Sequence, residues 1–242
     1  MEVTSVDYFS LDGVSCETVG LYCDTPPVQI MAQQRGQKYA VGQDEDIYVP
    51  DDSYNDITLS FSCFAFKPDD FDTSAVYAYL HGKTKLTYTR NAGYYYKVRS
   101  FTVSVSERYD GSCIKYQITF TCKPFRYIDG EEIIDIEGTG VVWNDGTRYC
   151  KPIYTITTSA LTGNGSISVN GQVFTFAATQ SKPIGNKKLI IDAERMLVYD
   201  GLERNRMMIT SGFLPFLSVG NSMVSLNGIA ESVTIQRNER CY

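Results

Sequence analysis

The chain has 242 residues, 43% of them hydrophobic, enough for one large core or two smaller ones, which argues against disorder. Its 22 Lys and Arg against 28 Asp and Glu give a formal charge of −6, so no basic surface stands behind nucleic-acid binding through counterion release. No apolar run approaches the ~18 residues of a membrane span, and none is expected.

From Val3 to Tyr22 the pattern is a short strand, a Leu11-Asp12-Gly13 turn and a second extended piece. Pro26-Pro27 forces an extended entry into Val28 to Ala32, where Val28, Ile30 and Ala32 share a face. Between Gln33 and Asp56 the sequence turns polar and acidic, with only Tyr39, Val41, Ile47, Tyr48 and Val49 to bury. Such a segment cannot stabilise itself alone and reads as a loop, or as an arm that packs on something else. Ile57, Leu59, Phe61 and Cys63 then alternate with polar residues in a half-buried strand that runs to Phe66 and ends at Pro68.

Asp69, Asp70 and Asp72 suit the start of a short helix whose apolar face is Phe71, Ala75, Tyr79 and Leu80, and Gly82 is a natural left-handed stop. A hairpin follows, with Leu86 and Tyr88 on one strand, Arg90 to Gly93 as the turn, and Tyr94, Tyr96 and Val98 on the return. Phe101, Val103 and Val105 mark a further strand. Ile114, Tyr116, Ile118, Phe120 and Cys122 form the longest alternating run, which Pro124 is expected to stop.

Residues 127–137 are acidic and weakly periodic, a candidate domain boundary. Beyond it the pattern is β only. Trp143 to Gly146 reads as a turn, Pro152 to Thr158 as a strand, and Ile167 to Phe174 as a hairpin on an Asn170-Gly171 turn of type I′. Leu189 to Asp192 pairs with Met196 to Tyr199, and Asn221 to Leu226 with Val233 to Ile235 through Asn227-Gly228. This spacing predicts a β-sandwich of about 110 residues.

Chemistry is hard to find in this pattern. His81 is the only histidine, which excludes histidine triads and multi-histidine metal sites, and its place at the helix end suits capping. The acidic clusters at 44–46, 51–52 and 69–72 lack EF-hand spacing and read as caps and solvated faces. No phosphate-binding glycine loop or nucleophile elbow occurs. The seven cysteines, Cys16, Cys23, Cys63, Cys113, Cys122, Cys150 and Cys241, are odd in number and include no Cys-x-x-Cys pair, so neither a disulfide framework nor a zinc site is indicated. Met1 to Asp7 has no basic stretch or apolar core of an export signal, so reduced thiols and synthesis in a cytoplasm are expected. No catalytic residue, cofactor or metal is expected. Trp143 and the eighteen tyrosines leave a sugar-binding alternative open beside the favoured reading, strand and interface aromatics.

The order of parts resembles the distal tail proteins of long-tailed bacteriophages that infect mainly Gram-positive hosts. The likeness rests on the opening Phe9-Ser10-Leu11-Asp12-Gly13-Val14-Ser15, the Pro27 to Gly36 strand running into an acidic loop, and the helix end Tyr79-Leu80-His81-Gly82. It continues through Leu86-Thr87-Tyr88 with Tyr94-Tyr95-Tyr96, the finish Phe120 to Phe125, and Phe216 to Ser222 before the last hairpin.

The resemblance implies a mainly β, non-enzymatic virion protein of the tail tip, assembled in the bacterial cytoplasm. Residues 1–128 would be a tail-tube-like domain, a β-sandwich or split barrel with one short helix, carrying an extended arm at about 33–56; residues 129–242 would be a galectin-like β-sandwich. It implies a homo-oligomeric ring, commonly a hexamer, that links the tail tube protein to tail tip, hub or other baseplate proteins. The candidate oligomer interface is Tyr39, Val41, Ile47, Tyr48 and Val49 on the arm with Tyr95, Lys97 and Arg99 on the tyrosine strand. The alternative is a carbohydrate-binding module that meets the host cell wall. The second half has Trp143 but no histidine, a departure that puts galectin-type galactoside binding in doubt.

Overall fold

The computed structural model describes residues 7–28, 30–40, 46–66, 73–109 and 113–242. The chain divides into two compact units, Met1–Asp129 with Tyr242, and Gly130–Cys241.

The first unit contains β1 (Phe9–Leu11), β2 (Val14–Ser15), β3 (Leu21–Thr25), β4 (Gln34–Ala40), β5 (Asp46–Tyr54), β6 (Ile57–Phe66), α1 (Thr73–Leu80), β7 (Lys85–Tyr88), β8 (Tyr94–Tyr109) and β9 (Cys113–Ile128). Its main sheet is antiparallel, in the order β2-β1-β7-β8-β9-β6-β3. Alternation puts Ile57, Leu59, Phe61, Cys63 and Ala65 of β6 and Ile114, Tyr116, Ile118, Phe120 and Cys122 of β9 on one buried face. Phe9 fills its centre, with ring centroids 4.8 Å from Phe61 and 5.5 Å from Phe120. α1 adds Val76, Tyr79 and Leu80, and the Tyr79 hydroxyl donates to the Val14 carbonyl at 2.8 Å. The buried stripe therefore uses Val76 where the sequence pattern suggested Ala75, which is only half-buried. Gly82 closes the helix at φ 72°, while the expected caps Asp69, Asp70 and Asp72, with Phe71, lie outside the described residues.

Three expectations for this unit are corrected. The described residues Val28 and Ile30 to Ala32 form no strand: Val28 is 82% and Met31 68% exposed, and among the described residues no strand pairs with this stretch, which follows two prolines lacking N–H donors. Phe101 to Val105 is not a separate strand but the continuation of β8, whose pairing with β9 shifts register between Tyr96 and Ser100. The change of buried phase from Tyr96 and Val98 to Phe101 and Val103 is thus a bulge within one 16-residue strand. Pro124 does not end β9. Tyr96 and Val98 face Arg126 and Cys122, so Pro124 sits in the irregular step between them, where a missing N–H breaks no ladder bond.

The second unit contains β10 (Ile134–Glu137), β11 (Thr139–Asn144), β12 (Ile153–Thr158), β13 (Gly163–Val169), β14 (Gln172–Ala178), β15 (Lys188–Asp192), β16 (Leu197–Asp200), β17 (Thr210–Ser211), β18 (Gly220–Gly228) and β19 (Ala230–Gln236). They form two five-stranded antiparallel sheets, β10-β19-β12-β15-β16 and β11-β18-β13-β14-β17. Tyr154, Ile156, Leu189, Ile191, Val233 and Ile235 from one and Val142, Ile167, Val169, Phe174, Phe176 and Val224 from the other meet in a single core, a β-sandwich. Asn170 at φ 50° and Gly171 at φ 81° give the β13–β14 hairpin the doubly left-handed turn its Asn-Gly sequence favours.

Trp143 and Asn144, expected in a turn, finish β11 instead. The turn begins at Asp145, two residues later, because Asn144 is buried and fully engaged: its amide donates to the carbonyls of Arg148 and Ser218, and its oxygen accepts from Gly146 N–H at 2.9 Å. The acidic stretch read as a boundary contributes β10, whose short IDIE run is too brief to show periodicity.

Candidate assembly interface

Among the described residues, β4 and β5 pair only with each other, as a two-stranded sheet apart from the main one. The segment read as a loop or an arm thus contributes two paired strands, and its residues 46–50, Asp-Ile-Tyr-Val-Pro, alternate in a way that suits a strand once a partner is supplied. Register places Tyr39 opposite Ile47 and Lys38 opposite Tyr48, while Val49 opposes Gln37 and is 50% exposed. Val41 lies outside the described residues.

The hairpin is tied down at its base. Asn55 N–H donates to the Gln33 carbonyl at 2.9 Å, the Gln34 amide to the Asp51 carbonyl at 2.8 Å, and Arg35 Nε to Asn55 Oδ1 at 2.8 Å. Tyr54 packs edge-on to Phe125, with centroids 5.0 Å apart, and its hydroxyl meets that of Tyr242 at 3.1 Å. Asp51 accepts from the Ser53 hydroxyl and, at 2.7 Å, from the Ser53 N–H, and these bonds hold its carboxyl below the usual range. Apart from Tyr54, the described side chains from Val49 to Asp56 are exposed.

Tyr95, Lys97 and Arg99 lie on the face of β8 opposite the core residue Tyr96. Tyr95 stacks on Tyr127 with centroids 5.4 Å apart, the Lys97 ammonium sits 4.2 Å from the same ring, and Lys85 reaches both the Tyr95 ring and Asp129. Arg99 pairs with Asp56 at 3.0 Å, at the junction between hairpin and β6. Tyr95 and Lys97 thus form one preassembled surface patch, whereas Arg99 is engaged at the foot of the hairpin. The Asp56, Phe125 and Tyr127 contacts could not be read from local sequence, since they join segments 40 or more residues apart, or depend on the register shift at Pro124.

Among the described residues no group of three or more His, Cys, Asp or Glu is placed to hold a metal, and no helix is long and apolar enough to cross a membrane. His81 is exposed at the end of α1. Trp143, 51% exposed, stands on the outer face of β11 beside Val141 and across from Asn221 of β18.

No family model matches the sequence, and no curated protein matches it. Solved structures do. The chain is similar to the crystal structure of the SPP1 Dit protein, described as a paradigm of the hub adsorption apparatus in phages infecting Gram-positive hosts: TM-score 0.67 and 14% identity over 96% of this chain and 98% of that one. It is also similar to a chain of the phage P2 baseplate in its activated, calcium-bound conformation: TM-score 0.50 and 10% identity over 95% and 97%. The chain has the fold of these hub and baseplate proteins along nearly its whole length, the same class of protein that its sequence resembles.

Proposed function

We propose that this chain is a non-enzymatic structural subunit of a phage tail tip, a ring-forming distal tail protein that joins the tail tube to hub or baseplate proteins. The observation that carries the reading is the β4–β5 hairpin. A two-stranded sheet is marginal in water by itself, and among the described residues this one pairs with no strand of the main sheet. Its phase repeats in every copy, so a subunit that lays its hairpin on the next makes a heterologous contact that repeats until the rotation closes. Burying about three of Tyr39, Ile47, Tyr48 and Val49 against a neighbour is worth several kcal/mol per contact. The full-length likeness to hub and baseplate proteins supports the same role.

The experiment is assembly itself. Purified chain, imaged by negative stain, is expected to show closed rings, with six subunits as the expected number. A strictly monomeric chain across the micromolar range would overturn the reading.

A further inference from the structure

The second unit carries a cavity of about 790 Å³ that the assembly reading leaves unused, and we propose that it binds a neutral oligosaccharide. The cavity opens on the sheet β11-β18-β13-β14-β17. Register lines up Asn227 of β18, Ser166 of β13, Thr175 of β14 and Ser211 of β17 as direct cross-strand neighbours, a row of hydroxyl and amide side chains over four strands. Neighbouring strands lie ~4.8 Å apart, close to the length of one pyranose ring, so such a row offers one hydrogen-bonding group per sugar step.

Several of these groups are uncommitted. The side chains of Asn164, Ser166, Lys182 and Asn227 have no hydrogen-bond or ion-pair partner among the described residues, although all four line the cavity. Apolar surface completes the site: Met208 is 80% exposed at the rim, next to half-buried Ile209. Polar groups for hydroxyls beside flexible apolar surface for the C–H faces of a ring is the chemistry of saccharide recognition. Charge narrows the class further. No carboxylate lines the cavity, so nothing there attracts a cation, and a lone Lys182 is a weak seat for a polyanion. A peptide strand would need unpaired backbone, whereas Ser166 and Thr175 belong to strands paired on both sides.

This site is distinct from Trp143, which stands on β11 and does not line it. The test is an array of neutral oligosaccharides (α- and β-glucans, galactans and N-acetylglucosamine oligomers) probed with the full chain, followed by calorimetric titration of the best-bound hexasaccharide. Saturable binding is expected, weakened at least tenfold by Ser166→Ala with Asn227→Ala, weakened severalfold by Met208→Ala, and unchanged by Trp143→Ala. Absence of saturable binding to every array member, or binding that survives the double substitution and is lost with Trp143→Ala, would overturn the proposal. Wild-type melting behaviour of Met208→Ala, outside both sheets, separates lost binding from lost folding.

Discussion

Asp200 shows how much can rest on one side chain that no local pattern marks. It is fully buried at the end of β16, where its carboxylate accepts from Arg204 Nε and Nη2, Arg206 Nε, and the N–H groups of Gly185, Leu202 and Arg204. Burial alone would raise its pKa, but the Arg204 guanidinium and those N–H groups hold it well below the ordinary carboxylate range. The folded value is depressed, so the contribution is complete above the unfolded value near pH 4 and is lost as pH falls through the folded one. Asp200→Asn leaves two arginines without their anion and is expected to cost about 3 kcal/mol at pH 7. Urea unfolding should show that deficit shrinking steadily below about pH 4; a pH-independent deficit would contradict the account. The thiols make a second test. All seven cysteines are free, and burial pushes Cys122 and Cys150 up to about 12, so thiolate is scarce at neutral pH. Under native conditions half-buried Cys113 is expected to react first and Cys122 and Cys150 last, with all seven titrating in denaturant without reductant. Fewer than seven would show a disulfide.

At the scale of elements, what the sequence makes legible is what local periodicity encodes. Strands β6 and β9 alternate cleanly because one face is core and the other solvent, and the Asn170-Gly171 turn is legible because its backbone demands two positive φ values. Gly171→Val should therefore cost about 1–2 kcal/mol through backbone strain alone, since a Cβ there meets nothing within 4 Å. Chemical denaturation measures it, and a neutral result would mean the turn relaxes. What stays hidden is pairing. Pro124 looks like a terminator because a local reading cannot know that its missing N–H falls in a register shift, and residues 34–54 look like a loop because a hairpin's partner is not written in either strand. Of the candidate interface, the Tyr95 and Lys97 alternation is visible in sequence, while their joint seat on Tyr127 depends on long-range register.

For the whole molecule, each unit has its own core, one around Phe9 and Phe61 and one around Tyr154 and Phe174. Residues 130–241 expressed alone should melt cooperatively as a β protein; persistent aggregation of varied fragments would contradict that independence. The tail-tip role makes a stricter demand, that copies of the first unit close on one another through the hairpin. Native mass spectrometry of the full chain beside the triple variant Ile47→Ser, Tyr48→Ser, Val49→Ser tests this most directly. The account predicts a closed oligomer for the wild type and monomers or small oligomers for the variant, with the β circular-dichroism signature unchanged; a variant that still assembles into the same closed oligomer would contradict it.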